Sequence, residues 1–172
     1  MSEVRQNPAA NDRETATHRD DKLELRLWLR LLTCSSLIER NVRTALRARF
    51  GTTLPRFDLL AQLDRAPDGL TMSELSARMM VSNGNITGLA DRLIEEGLVK
   101  RTPSARDRRS AHLSLTPSGK RAFDEMTPEH EAWIDTMMAG LSRQEMQQLF
   151  GLLGKLKTSV LQNAGSHEGE DS

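Results

Sequence analysis

A chain of 172 residues with 24 Lys and Arg against 24 Asp and Glu carries no formal net charge. That excludes a uniformly basic nucleic-acid coat and leaves room for positive charge gathered in one place. One cysteine, Cys34, excludes an internal disulfide framework, no apolar run reaches the length of a membrane span, and a core with 3% aromatics and no Tyr must be built from Leu, Met, Ile and Val.

Residues 1–19 are polar and interrupted by charges, and read as a disordered arm without an apolar signal core, so the protein is expected in the cytoplasm. A long helix is predicted from Asp20 to Phe50, with Gly51 as its stop. Leu23, Leu27, Leu31, Cys34, Leu37 or Ile38, Val42, Ala45 and Leu46 recur at helical spacing, and Leu25, Leu29, Leu32 and Ser36 form a second band. Two bands suggest two buried contacts, one with the chain's own core and one with a partner chain. Cys34 reads as a small buried apolar residue. Arg40, Arg43, Arg47 and Arg49 crowd the C-terminal end. They suit either a solvated face complementing the helix dipole or an anion site that uses forked guanidinium donors.

Leu54–Arg65 is a second helix with Pro55 in its first turn and Phe57, Leu60, Ala61 and Leu63 turned inward. Thr71 stands three residues before Glu74, a capping box that opens a short third helix. Ser82 and Asn83 are N-cap candidates for a fourth, in which Ile86, Leu89, Ala90, Leu93 and Ile94 form an apolar stripe and Gly97 supplies the stop. Its other face carries Asn85, Thr87, Gly88, Asp91 and Arg92. A helix built for stability alone would avoid Asn83, Gly84, Asn85, Thr87 and Gly88 in its first turns. A frayed solvent-facing helix is one reading of them. A helix that enters a DNA major groove is the other, because small side chains and amide or hydroxyl groups near the N-terminus reach base edges.

Leu98–Thr102 and His112–Thr116 can pair as a hairpin, with the turn-rich segment from Pro103 to Ser110 between them. Leu98 to Arg121 holds seven Lys or Arg and one acid, Asp107, in a chain of zero net charge. Charge concentrated beside a helix-turn-helix pattern is the footprint of phosphate contact. Ser82, Asn83, Asn85, Thr87 and Arg92 are therefore the candidates for base and phosphate reading.

Thr116-Pro-Ser-Gly119 reads as a cap and turn, followed by a helix from about Lys120 to Ala139 that Pro128 kinks or breaks. Phe123, Met126, His130, Trp133, Ile134 and Met137 share one face of it. A lone His on such a face is more often a core or pocket residue than a metal ligand. Ser142 and Glu145 form a second capping box, and Met146, Leu149, Phe150, Leu152, Leu153, Leu156 and Val160 mark a last amphipathic helix. Residues 164–172 read as a flexible tail. The four His residues are dispersed and no phosphate-binding Gly-rich loop follows a strand, so no catalytic set, metal site or cofactor is expected. An enzyme using His130 and Glu131 has no other support in the chain.

Three stretches carry a resemblance: Leu70-Thr-Met-Ser-Glu-Leu-Ser, Asn85-Ile-Thr-Gly-Leu-Ala-Asp-Arg-Leu-Ile-Glu-Glu-Gly-Leu-Val, and Asp107-Arg-Arg-Ser-Ala-His-Leu-Ser-Leu-Thr-Pro-Ser-Gly. The chain resembles the multiple-antibiotic-resistance (MarR) family of bacterial winged-helix regulators from about residue 25 to about residue 160. The resemblance implies a mainly α fold with a small β-wing. It also implies a winged helix-turn-helix DNA-binding domain at 54–119 and dimerisation helices at 20–53 and 120–163. The expected protein is a homodimeric repressor without enzymatic activity, bound to a near-palindromic double-stranded operator and released by a small aromatic effector. Arg109 is then expected in the minor groove, with Arg106 and Arg108 on phosphates or groove edges.

The resemblance places the effector among Trp28, Leu32, Ser36, Glu39, Arg40 and Arg43 of the first helix, Phe57 of the second, and Met126, His130, Trp133 and Met137 of the fifth. Leu54-Pro-Arg-Phe-Asp-Leu-Leu-Ala-Gln-Leu-Asp, Met79-Met-Val-Ser-Asn-Gly-Asn and His130-Glu-Ala-Trp-Ile are similar to a subgroup that controls hydroxycinnamate catabolism and answers to aromatic acyl-coenzyme A thioesters. A free aromatic acid, or oxidation at Cys34, is the alternative signal, although the tyrosines that support cysteine-based sensing in relatives are absent. A winged-helix interaction module that does not bind DNA is the alternative function.

Overall fold

The computed structural model describes residues 22–103 and 111–164. The N-terminal arm, the wing tip with Arg106, Asp107, Arg108 and Arg109, and the tail from 165 lie outside the described residues. In chain order the elements are α1 (Leu23–Phe50), α2 (Leu54–Asp64), β1 (Leu70–Thr71), α3 (Met72–Met79), α4 (Asn83–Glu95), β2 (Val99–Pro103), β3 (Ala111–Leu115), α5 (Pro117–Met138) and α6 (Arg143–Ala164). The chain divides into two compact units, 1–131 and 132–172.

In the first unit, α2, α3 and α4 pack over a three-stranded antiparallel sheet of order β1-β3-β2. Leu59, Leu75, Ile86, Ala90, Leu93 and Leu113 have no exposed surface, and Leu60, Leu63, Leu70 and Val99 are nearly as buried. Each side chain of Leu size withdrawn from water contributes about 1.5–3 kcal/mol, so this cluster fixes how α4 lies on the sheet. The inward residues of α4 are those of the sequence stripe, with Leu89 and Ile94 half-buried at its margins.

The boundaries follow local chemistry. The Thr71 side chain accepts from the Glu74 N–H while the Glu74 carboxylate accepts from the Thr71 N–H at 2.7 Å, as the capping box requires. At the end of α4 the Leu98 N–H reaches back to the Leu93 carbonyl at 2.9 Å, with Gly97 left-handed at φ 72°. Thr116 then joins two elements. Its hydroxyl donates to the Gly97 carbonyl at 2.6 Å and accepts from the Gly119 N–H at 3.0 Å.

Several expectations need correction. The strand β1 pairs Leu70 with Leu113 and Thr71 with His112. Two residues are too few to show alternation, so the stretch read only as the approach to the capping box. Thr116-Pro-Ser-Gly119 is not a turn before α5. Thr116 is the cap, Pro117 is the first helical residue, and Gly119 lies in the first turn against the Leu98 backbone. The helix continues through Pro128 instead of breaking there.

On α1 the single chain covers only part of the apolar pattern. Only Val42 and Leu46 are buried on this helix, whereas Leu23, Leu25, Leu27, Trp28, Leu32 and Leu37 are exposed. Cys34, expected to be buried, is exposed too. A helix of 28 residues reaches well beyond the core it touches, and periodicity does not reveal which turns meet it. In the second unit α6 has no buried residue, and Met146, Leu149, Phe150, Leu152, Leu153, Leu156, Val160 and Leu161 are all exposed. No helix among the described residues is long and apolar enough to cross a membrane.

Candidate nucleic-acid interface

The connection from α3 to α4 is a tight turn. Met80 closes α3 in the left-handed region at φ 54°, ψ 39°, and its N–H bonds back to Ala77. Ser76 brackets the next residue: its carbonyl accepts the Val81 N–H at 3.3 Å and its hydroxyl donates to the Val81 carbonyl at 2.5 Å. Ser82 follows as the extended N-cap of α4, and its side chain makes no cap hydrogen bond. The Ser82 hydroxyl is therefore not taken up by the helix it starts.

Beyond the turn, Asn85, Thr87, Gly88, Asp91 and Arg92 line the outer face of α4 and all are exposed. A Cβ added to Gly84 or Gly88 would meet nothing within 4 Å among the described residues. Neither glycine is required by packing in its own fold, and each costs a helix about 1 kcal/mol relative to Ala. Asp91 accepts from Arg101 of β2 at 3.3 Å, which ties the outer face of α4 to the wing strand. Of the predicted reading set, Ser82, Asn85, Thr87 and Arg92 are thus exposed, and Asn83 starts the helix. Arg106, Arg108 and Arg109 lie outside the described residues.

The far end of α4 is held to α2. Arg56 and Glu96 form a two-pronged ion pair, with Nη1 donating to Oε1 at 2.7 Å and Nη2 to Oε2. Hydrogen bonding to Arg56 lowers the Glu96 pKa, and the same bond raises that of Arg56. Sequence spacing gave no sign of this pair, whose members are forty positions apart. The pair borders a groove of about 600 Å³ with Leu60, Leu89, Arg92, Leu98 and Met126 among its walls.

Only Met126 of the predicted effector residues lines that groove. Phe57 is 5% exposed, stacks on the His130 ring at 4.5 Å between centroids and tilts against Phe123 at 5.4 Å. Burial lowers the His130 pKa, opposed by the Glu131 charge. Phe57, Met126 and His130 are thus brought together, with Phe57 and Met126 largely buried in the chain's own core. Trp28, Leu32, Ser36, Glu39, Arg40 and Arg43 stand exposed on α1, where Glu39 and Arg43 pair with each other. Burial and the neighbouring Glu39 charge raise the pKa of Asp58 on α2, a residue the sequence reading passed over. Trp133 and Met137 belong to the second unit. Among the described residues no group of three His, Cys, Asp or Glu side chains could hold a metal ion.

A buried-inside, polar-outside second helix after a tight turn, followed by a small antiparallel sheet, defines a winged helix-turn-helix protein. Comparison with known proteins makes this specific. The MarR family model matches residues 50–110. The transcriptional activatory protein BadR of Rhodopseudomonas palustris is 30% identical over 142 residues, covering 80% of this chain and 81% of BadR. The HTH-type transcriptional repressor YetL of Bacillus subtilis is 31% identical over 137 residues, covering 79% of this chain and 81% of YetL. Among solved structures, Sco3205 from Streptomyces coelicolor, a MarR family transcriptional regulator in complex with DNA, superposes with a TM-score of 0.73 over 84% of this chain and 92% of its own, at 20% identity. The chain belongs to the MarR family of transcriptional regulators, a family of regulators and not of enzymes.

Proposed function

We propose that the protein is a homodimeric, cytoplasmic repressor that binds a near-palindromic DNA operator through α4 and the wing and is released by a small aromatic effector. The observation that carries this reading is the two-sidedness of α4. Ile86, Ala90 and Leu93 of its inner face are fully buried, while its outer face is cleared of bulk at Gly84 and Gly88 beside exposed Ser82, Asn85, Thr87 and Arg92. Small and polar groups near a helix N-terminus fit a major groove, where base edges present donors and acceptors. The fold seen with DNA in Sco3205 supports the same docking. By the resemblance of its Asp107-x-Arg109 pattern to the family's wing, Arg109 is assigned to the minor groove, with Arg106 and Arg108 on phosphates or groove edges.

The dimer is supported by the apolar surface left bare on α1 and α6, since a soluble chain rarely exposes so much of it. In this reading 20–53 and 120–163 supply the dimerisation helices and 54–119 the DNA-binding domain. A two-fold dimer presents two α4 helices to half-sites about one DNA turn apart. The effector is assigned to the region of Trp28, Leu32, Ser36, Glu39, Arg40, Arg43, Phe57, Met126, His130, Trp133 and Met137. An aromatic acyl-coenzyme A thioester is the favoured class, because the arginines exposed on α1 offer partners for its phosphates.

The test is binding to the DNA upstream of the protein's own coding sequence at two salt concentrations, with and without aromatic acids and their coenzyme A thioesters. Tight, salt-sensitive binding that a thioester abolishes is the expected result. Release by the free acid alone would replace the thioester with the acid. Absence of binding under every condition would favour an interaction module.

A further inference from the structure

Met80 is the one described non-glycine residue with a positive φ, at 54°. The residue is 86% exposed, and Val81 beside it is also exposed. Left-handed backbone crowds a Cβ, so Gly or Asn fills such helix ends at lower cost. An apolar side chain in water gains nothing from its exposure. Among the described residues the fold therefore bears a strained backbone and a nearly bare thioether at this position. The turn itself does not need the side chain, because backbone bonds and Ser76 close it.

The location supplies the reason. Met80 stands three residues before Asn83, the first residue of α4, at the end of the recognition helix that meets base edges first. Among the other assigned reading residues only Thr87 carries a methyl group that can meet the C5-methyl of thymine, the apolar feature of the major-groove edge, and the rest offer it polar groups or guanidinium. A long, unbranched, polarizable side chain adapts to such a methyl.

We propose that Met80, flanked by Val81, is a specificity residue that packs on a thymine methyl group at the margin of each half-site. This rests on the DNA-binding reading above. Met80→Asn is the informative variant, because Asn accepts the left-handed conformation. The duplex is the region upstream of the protein's own coding sequence, prepared once with thymine and once with uracil throughout, which deletes only the methyls.

Met80→Asn should unfold at the same or a higher temperature than the wild type. It should bind the thymine duplex about three- to tenfold more weakly, the range expected for one apolar base contact. Uracil should weaken the wild type by more than it weakens the variant, and the dependence of affinity on salt should be unchanged because no phosphate contact is removed. Equal binding of the thymine duplex by both proteins, or losses from variant and uracil that simply add, would overturn the proposal while leaving DNA binding intact. No binding by the wild type to either duplex would overturn the DNA-binding reading and this proposal together.

Discussion

A Cβ placed on Gly119 would stand 1.9 Å from the Leu98 carbonyl oxygen, a backbone atom that cannot swing aside. Gly119→Ala should therefore cost about 3 kcal/mol or more, at the upper end of overpacking effects, read as a lower urea midpoint at fixed chain concentration. Gly88 is the opposite case, with open space where its Cβ would go. Gly88→Ala should raise stability by about 0.5–1 kcal/mol yet weaken DNA binding, a split that a purely structural glycine would not show. At His130, burial favours the neutral ring, so the folded-state pKa lies below the ordinary 6.5. Between those two values the unfolded chain binds more protons, and stability rises with pH. The wild type should thus lose stability relative to His130→Leu as pH falls from 7 through the lowered pKa, visible in paired melts from pH 8 to 5.

The elements are set by their ends as much as by their stripes. Thr71 and Glu74 start α3, and Ser142 and Glu145 start α6, each by reciprocal side-chain and backbone bonds. Thr71→Ala should cost about 1 kcal/mol by chemical denaturation near neutral pH. The bonds to Thr71 lower the Glu74 pKa below 4.5, so the cap contributes fully above that value and is lost as pH falls through the lowered one. The penalty of Thr71→Ala should shrink accordingly in acid. These caps are legible in sequence because both partners sit within one turn. The Arg56 and Glu96 pair between α2 and the end of α4 is not, because only folding brings residues so distant together. The strand β1 escaped notice for a related reason, since its two residues acquire meaning only beside Leu113 and His112.

At the scale of the whole molecule, the proposed dimer places a demand on α6. Phe150 is 81% exposed in the single chain. A two-fold interface would bury it twice, and at about 1.5–3 kcal/mol per side chain Phe150→Glu should raise the dimer dissociation constant by more than about a hundredfold. Sedimentation should show the shift from dimer to monomer, with DNA affinity falling alongside because two half-sites are no longer held together. A variant that remains fully dimeric would remove Phe150 from the interface. The exposed leucines on the N-terminal turns of α1 lead to the same expectation.

The sequence alone determined the helix-turn-helix with its caps, the inward stripe of Ile86, Ala90 and Leu93, the polar outer face of α4 and the family resemblance. All of these depend on residues within a few turns of one another, where spacing is enough. Tertiary structure decided which turns of α1 meet the core, why Thr116 and Gly119 must stand where they do, and that Cys34 is exposed. It also decided that Phe57 and Met126 are largely buried and that Met80 is strained and bare. An apolar period states that a face will be covered, whereas the covering element, here often distant in the chain, is chosen by packing.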